Sequence, residues 1–194
     1  MRVFGIDPGS ERTGYGCVET DGSRHRLVVC GALAAPAGAA FPAQLQVIHQ
    51  RLSALLAECR PDCVAIEGVF HAVNARSALK LGQARGVAVL AAIEVGYPVF
   101  EYAPAAVKRA VVGYGRAEKR QVQEMVRVLL GLAAPPSPHD AADALALAIC
   151  HVHATPSSGA VAAAVAAAEP QAGRRARGRS WRDYKPEGAA ARNR

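Results

Sequence analysis

The chain has 194 residues, a formal charge of +7 and a hydrophobic share of 51%, which suits one domain with an appendage. No uninterrupted apolar stretch reaches the ~20 residues that a membrane-spanning helix needs. Asp7 and Pro8 end the first apolar run too early for a secretion signal, so a soluble, cytoplasmic protein with no membrane partner is expected. The charge is unevenly spread. Residues 156–194 hold eight Arg and Lys against three acids, while the other 155 residues hold fifteen against thirteen. The basic surplus therefore belongs mainly to the tail and by itself says little about a nucleic-acid partner. The five cysteines, Cys17, Cys30, Cys59, Cys63 and Cys150, include no C-x-x-C pair and read as ordinary buried thiols.

In chain order, "RVFGID" is a short strand that ends at Asp7. "TGYGCVET" alternates and runs into "DGS", a strong hairpin turn signal, after which "RHRLVVCGAL" returns as a third strand. "FPAQLQVIHQRLSALLAECR" has apolar residues at helical spacing with Pro42 in its first turn. "PDCVAIEG" is a compact strand ending in Glu67, followed by a long Ala/Leu helix from about Asn74 to Glu94 and the strand "YPVFEYA". Helices are predicted over "PAAVKRAVV", "RAEKRQVQEMVRVLLGL" and "PHDAADALALAICHVHA". Three antiparallel strands followed by strand–helix repeats make an α/β domain over residues 1–155. Its five-stranded sheet is mixed, with helices on both faces. Residues 156–194 are Ala- and Arg-rich, with almost no large aliphatics, and are expected to be a disordered basic tail.

Two apolar strands, "VFGID" and "CVAIE", each end on a carboxylate followed at once by a turn. As parallel neighbours their ends would lie about 4.8 Å apart, so the side chains of Asp7 and Glu67 could converge. Either acid alone is more simply a soluble turn residue; the pair is more informative. Two bare carboxylates at that range repel, and one takes up a proton unless a cation sits between them. A convergent pair therefore points to a hard divalent ion, Mg²⁺ or Mn²⁺. "HDAADALALAI" supplies Asp140 and Asp143, three apart at a helix start and so on one face. Asp140 could instead be an N-cap, but Asp143 lies on a packing stripe and needs a partner. Four acids from two strand ends and one helix would build a two-metal site for phosphodiester hydrolysis. His139 could be a ligand or a base, although a loop histidine beside prolines is more often solvated.

The Gly-rich turn "DPGSERTG" could alternatively cradle phosphates. It lacks the G-K-[ST] ending and leads into a strand, not into a helix N-terminus that would receive the phosphate. An actin-like ATPase would need two such domains. A non-catalytic binding protein would need none of the four acids.

Six ordered blocks, "GIDPGSERTGYG", "AIEGVF", "NARSALKLGQARGVA", "VFEYAP", "VKRAVVGYGRAEKRQVQ" and "DAADALALAI", closely resemble those of the RuvC crossover-junction endonuclease family over residues 1–154. The resemblance implies an RNase H-like fold, a homodimer and Mg²⁺-dependent, paired cutting of four-way (Holliday) junction DNA that leaves 5′-phosphate and 3′-hydroxyl ends. It implies two Mg²⁺ ions per site, replaceable by Mn²⁺, and Asp7, Glu67, Asp140 and Asp143 as metal-holding catalytic acids. Some relatives carry a histidine at the first acid of the last pair, so the assignment could shift by one residue to His139. The resemblance also makes Phe70 a base-stacking residue and Lys108 and Lys119 phosphate contacts. Arg76, Lys80 and Arg85 are further basic residues on the long helix. The chain departs at Val73, where many relatives have lysine. Gly82 and Gly86 give that helix a small-residue face on which two copies could meet, unless it packs on the chain's own sheet. Cooperation with the RuvA and RuvB branch-migration complex is implied by the family alone. A related RNA-acting nuclease of the YqgF type shares the "G-x-D-x-G" start, but "SALKLGQARG" and "DAADALA" argue against it.

Overall fold

The computed structural model describes residues 1–155 except 10, 37 and 69–73. Phe70, Val73 and the basic segment 156–194 therefore lie outside the described residues. The elements are β1 (Arg2–Asp7), β2 (Arg12–Thr20), β3 (His25–Ala34), α1 (Phe41–Cys59), β4 (Cys63–Glu67), α2 (Ala75–Glu94), β5 (Val99–Tyr102), α3 (Pro104–Val112), α4 (Lys119–Leu129) and α5 (His139–Ala154). They follow the order expected from the sequence.

Local chemistry sets several boundaries. The β2–β3 hairpin closes where the Asp21 carboxylate accepts from the backbone N–H groups of Ser23 and Arg24 at 2.9 and 2.8 Å, and Gly22 takes a positive φ of 101°. Pro42 stands in the first turn of α1, where its missing N–H costs nothing. The Asn74 side chain caps α2 by accepting from the Ser77 N–H at 2.9 Å. The predicted helix over 116–132 is shorter at both ends. It starts at Lys119 because Glu118 and Gln121 close a reciprocal capping box.

The sheet order is β3-β2-β1-β4-β5. β1 is central, antiparallel to β2 and parallel to β4, as expected for a hairpin meander joined to parallel crossovers. Strand alternation then sorts the core into two layers. Phe4, Ile6, Val64 and Ile66 pack with α1 and α2 on one face. Val3, Cys63 and Ala65 pack with α3, α4 and α5 on the other. Continuing the period of two puts Asp7 (after Val3 and Gly5) and Glu67 (after Cys63 and Ala65) on the α5 face.

Every residue of α5 from Ala144 to His151 is buried, and the helix packs against all five strands and against α3 and α4. Its approach is unusually close because the strand positions beneath it are glycines. A Cβ at Gly5 would collide with the Ala144 carbonyl, one at Gly14 with the Asp140 carbonyl, and one at Gly16 with the Leu145 side chain. Gly5 pairs with Gly16 and Asp7 with Gly14 across the β1–β2 ladder, so the three glycines form one continuous seat.

Gly5→Ala is expected to lower stability by about 2–3 kcal/mol in urea denaturation, because its new methyl meets backbone that cannot rotate away. Gly16→Ala, which meets a side chain, should cost less. Equal midpoints for Gly5→Ala and wild type would contradict this seating.

Candidate active site

The register makes Asp7 and Glu67 neighbours. β1 and β4 pair in parallel through Ile6 and Ile66, and each strand ends one residue later on its acid. The seating of α5 brings a third and a fourth acid to the same place. Asp143 lies one residue before Ala144, the residue seated over Gly5. Asp140 has its carbonyl against Gly14, the cross-strand partner of Asp7. Asp7, Glu67 and Asp143 line a single cleft of about 260 Å³, with Lys108 and Lys119 among its walls. Asp140 does not line that cleft, but its charge acts on Asp7.

Pro138 is the residue that precedes α5, so Asp140 stands inside the first turn and is not the N-cap. There it benefits from the positive end of the helix dipole. His139 is held by the amide of the buried Gln123, which donates to its Nδ1 at 2.8 Å. That contact ties the start of α5 to α4.

The acids are electrostatically frustrated. Burial, then the charges of Glu67, Asp143 and Asp140, push the Asp7 carboxyl up to about 8. Burial and Asp143 also raise Glu67 above its ordinary value. Asp143 pairs with Lys119, whose Nζ stands 2.6 Å from its carboxylate. Burial works against the Lys119 charge, but the pairing with Asp143 outweighs it and holds the ammonium above its ordinary pKa.

An all-carboxylate donor set suits a hard oxygen-seeking ion, and a divalent cation would relieve the repulsion that raises Asp7 and Glu67. Among the described residues no three His, Cys, Asp or Glu side chains yet converge into a formed metal cluster.

The other expected contacts divide. Lys108 and Lys119 reach the cleft. Arg76 and Lys80 do not line it. Arg76 is exposed on α2, and the Lys80 ammonium sits 5.3 Å from the centre of the Phe41 ring. Arg85 faces inward. Its Nε donates to the Glu67 carbonyl at 3.1 Å and its guanidinium pairs with Glu101 at 2.5 Å. It thus secures the end of β4. Nothing in its spacing marked that role. The glycine seat was not read from the sequence; the signal for it is the recurrence of Gly14 and Gly16 on one face of a strand.

In the metal-free protein Asp7 is expected to be destabilising at neutral pH. Its folded pKa, about 8, lies above the ordinary 3.8, so the unfolded chain releases its proton first and stability falls as pH rises from about 4 to 8. Asp7→Asn should therefore be more stable than wild type at pH 8 in EDTA, by about 1–3 kcal/mol. The gap should close towards pH 4, and added Mg²⁺ should stabilise only the wild type. Urea denaturation across that range measures it.

A family model described as crossover junction endodeoxyribonuclease RuvC matches residues 3–151. The crossover junction endodeoxyribonuclease RuvC of Chloroflexus aggregans is 54% identical over 157 residues, covering 81% of this chain and 96% of the relative. The structure of Thermus thermophilus RuvC superposes with a TM-score of 0.73 at 38% identity, over 79% of this chain and 94% of that one. The Thermus thermophilus protein in complex with a Holliday junction substrate gives a TM-score of 0.72 at 36% identity, with the same coverage. The mixed sheet with helices on both faces is thus the RNase H-like fold, and the chain belongs to the RuvC family of crossover junction endodeoxyribonucleases.

Proposed function

We propose that this chain resolves Holliday junctions in recombination and repair by paired, symmetric hydrolysis of two phosphodiesters, leaving 5′-phosphate and 3′-hydroxyl ends. The observation that carries the reading is the meeting of Asp7, Glu67 and Asp143 in one cleft beside Lys108 and Lys119, with the Asp140 charge also acting on Asp7. The four acids would hold Mg²⁺, two ions per site, with Mn²⁺ as a substitute. Bound there, the metal supplies an activated water and stabilises the leaving oxygen. Lys108 and Lys119 would anchor the scissile strand by its phosphates. Lys119 would also exchange its carboxylate partner for a phosphate when substrate and metal arrive. Phe70 is proposed as the base-stacking residue, on the family resemblance alone.

Cutting both strands of a two-fold junction calls for two equivalent sites, and α2 supplies a surface for a homodimer. Its buried side is Ala84, Ala88, Ala91 and Ala92. Its outer side exposes Leu79, Leu90 and Ile93 at 67%, 48% and 59%. Gly82 and Gly86, on that outer side, have open space where a Cβ would stand, so a second helix could approach closely. Residues 1–155 are proposed as the nuclease domain, and the basic segment 156–194 as an addition to non-specific DNA affinity. Among the described residues no helix is long and apolar enough to cross a membrane. A cytoplasmic site of action and handover from RuvA and RuvB complete the proposal and rest on the family.

Two experiments test it. Asp7→Asn should bring Mg²⁺-dependent cleavage of a labelled four-way junction below about a thousandth of wild type while leaving junction binding largely intact. Linear duplex and RNA–DNA hybrid serve as side-by-side substrates; equal cutting of the hybrid would favour the RNA-acting alternative. Leu90→Glu should convert a dimer into a monomer in light scattering, with an unchanged circular dichroism spectrum, and should uncouple the two nicks. A dimer that survives this change would place the interface elsewhere.

A further inference from the structure

At the far end of α5 from the acids, two imidazoles face one another. His153, near the helix C-terminus, and His25, the first residue of β3, bring their Nε2 atoms to 3.3 Å. Their ring centres are 5.3 Å apart. Each ring is also held from behind. His153 Nδ1 lies 3.0 Å from the Ala110 carbonyl, which can only accept, so Nδ1 carries the proton and the neutral ring presents a bare lone pair at Nε2. His25 Nδ1 lies 2.9 Å from the Thr20 hydroxyl, which accepts from the Gly22 N–H as well. Backing of this kind, through the distal nitrogen, fixes ring orientation in histidine metal sites.

We propose that His25 and His153 form a binding site for one borderline divalent transition ion, of the Zn²⁺, Ni²⁺ or Cu²⁺ class, that clips the β2–β3 hairpin to the end of α5. The separation fits: two Zn–N bonds of about 2.0–2.1 Å at a tetrahedral angle put the nitrogens about 3.3–3.4 Å apart. Burial and the facing His153 ring hold His25 below its ordinary pKa, which favours the neutral donor that a metal requires. The nearby Asp21 charge acts in the opposite sense and favours a bound cation. Imidazole donors select this class over Mg²⁺, which prefers oxygens. Among the described residues no third His, Cys, Asp or Glu joins the pair, so water would complete the coordination. His153 lies thirteen positions after Asp140 on the same helix, about 20 Å along it, so this site is distinct from the carboxylate cleft. Because Ala110 belongs to α3, the bound ion would tie three elements together.

The test titrates ZnCl₂ into the chelator-stripped full chain in Mg²⁺ buffer and follows the histidine ring resonances by NMR. The ring signals of His25 and His153 should shift together and saturate near one equivalent, whereas Mg²⁺ alone moves neither. At tenfold excess over Kd the thermal midpoint should rise by about 3–6 °C. His25→Gln and His153→Gln should each weaken Zn²⁺ binding at least about tenfold. Rings unmoved by Zn²⁺ in the wild type, which needs no variant, would overturn the site. So would variants that bind as tightly as wild type, because the ion would then sit elsewhere.

Discussion

The close seating of α5 on the glycines of β1 and β2 is the constraint on which the rest depends. Side chains at Gly5 or Gly14 would lift the helix off the sheet, because the atoms they would meet are the carbonyls of Ala144 and Asp140. That approach is what turns a packing interface into a chemical one. Asp7 stands on the strand two residues beyond Gly5, and Asp143 on the helix one residue before Ala144. A helix held farther off would still bury Leu145 and Ile149, but its acids would no longer share a cleft with Asp7 and Glu67.

Such proximity works against the fold. Asp7 and Glu67 are partly buried beside other carboxylates, and burial and repulsion from those charges raise both above their ordinary pKa values. Lys119 offsets part of it through Asp143, and it is placed to do so because the capping box of Glu118 and Gln121 starts α4 at that residue. The glycine seat and the surrounding apolar layer supply the rigidity that holds these charges together. Stability in the scaffold is used to maintain a cluster of acids that repel one another.

Much of this was legible in the sequence, and the reasons are specific. Strand patterns and turns placed Asp7 and Glu67 at strand ends; their parallel pairing was a condition there, and the β1–β4 register meets it. Asp143 stood out as an acid within a packing stripe. The role of Arg85 was not legible, because a basic residue on a helix looks the same whether it faces solvent or reaches back to a strand carbonyl. Asp140 resembled an N-cap because capping and first-turn acids differ by a residue or two in sequence. The α5 start is set instead by Pro138 and by the Gln123–His139 contact, a tertiary interaction that local patterns do not contain. The outward face of α2 was ambiguous for a similar reason: Gly82 and Gly86 could equally have met the chain's own sheet.

The position of α5 at the end of the described chain also governs when the enzyme comes into being. The Val3, Val18 and Ala65 face of the sheet is covered by α3, α4 and α5, and α5 emerges from the ribosome last of these. At roughly 5–20 residues per second, the β1–β2 hairpin waits roughly 7–30 s for the helix that closes its glycine seat. Through that interval the hairpin carries an uncovered apolar surface, and Asp7 has neither of its helical partners. Until α5 docks, the cleft that Asp7, Glu67 and Asp143 share does not exist.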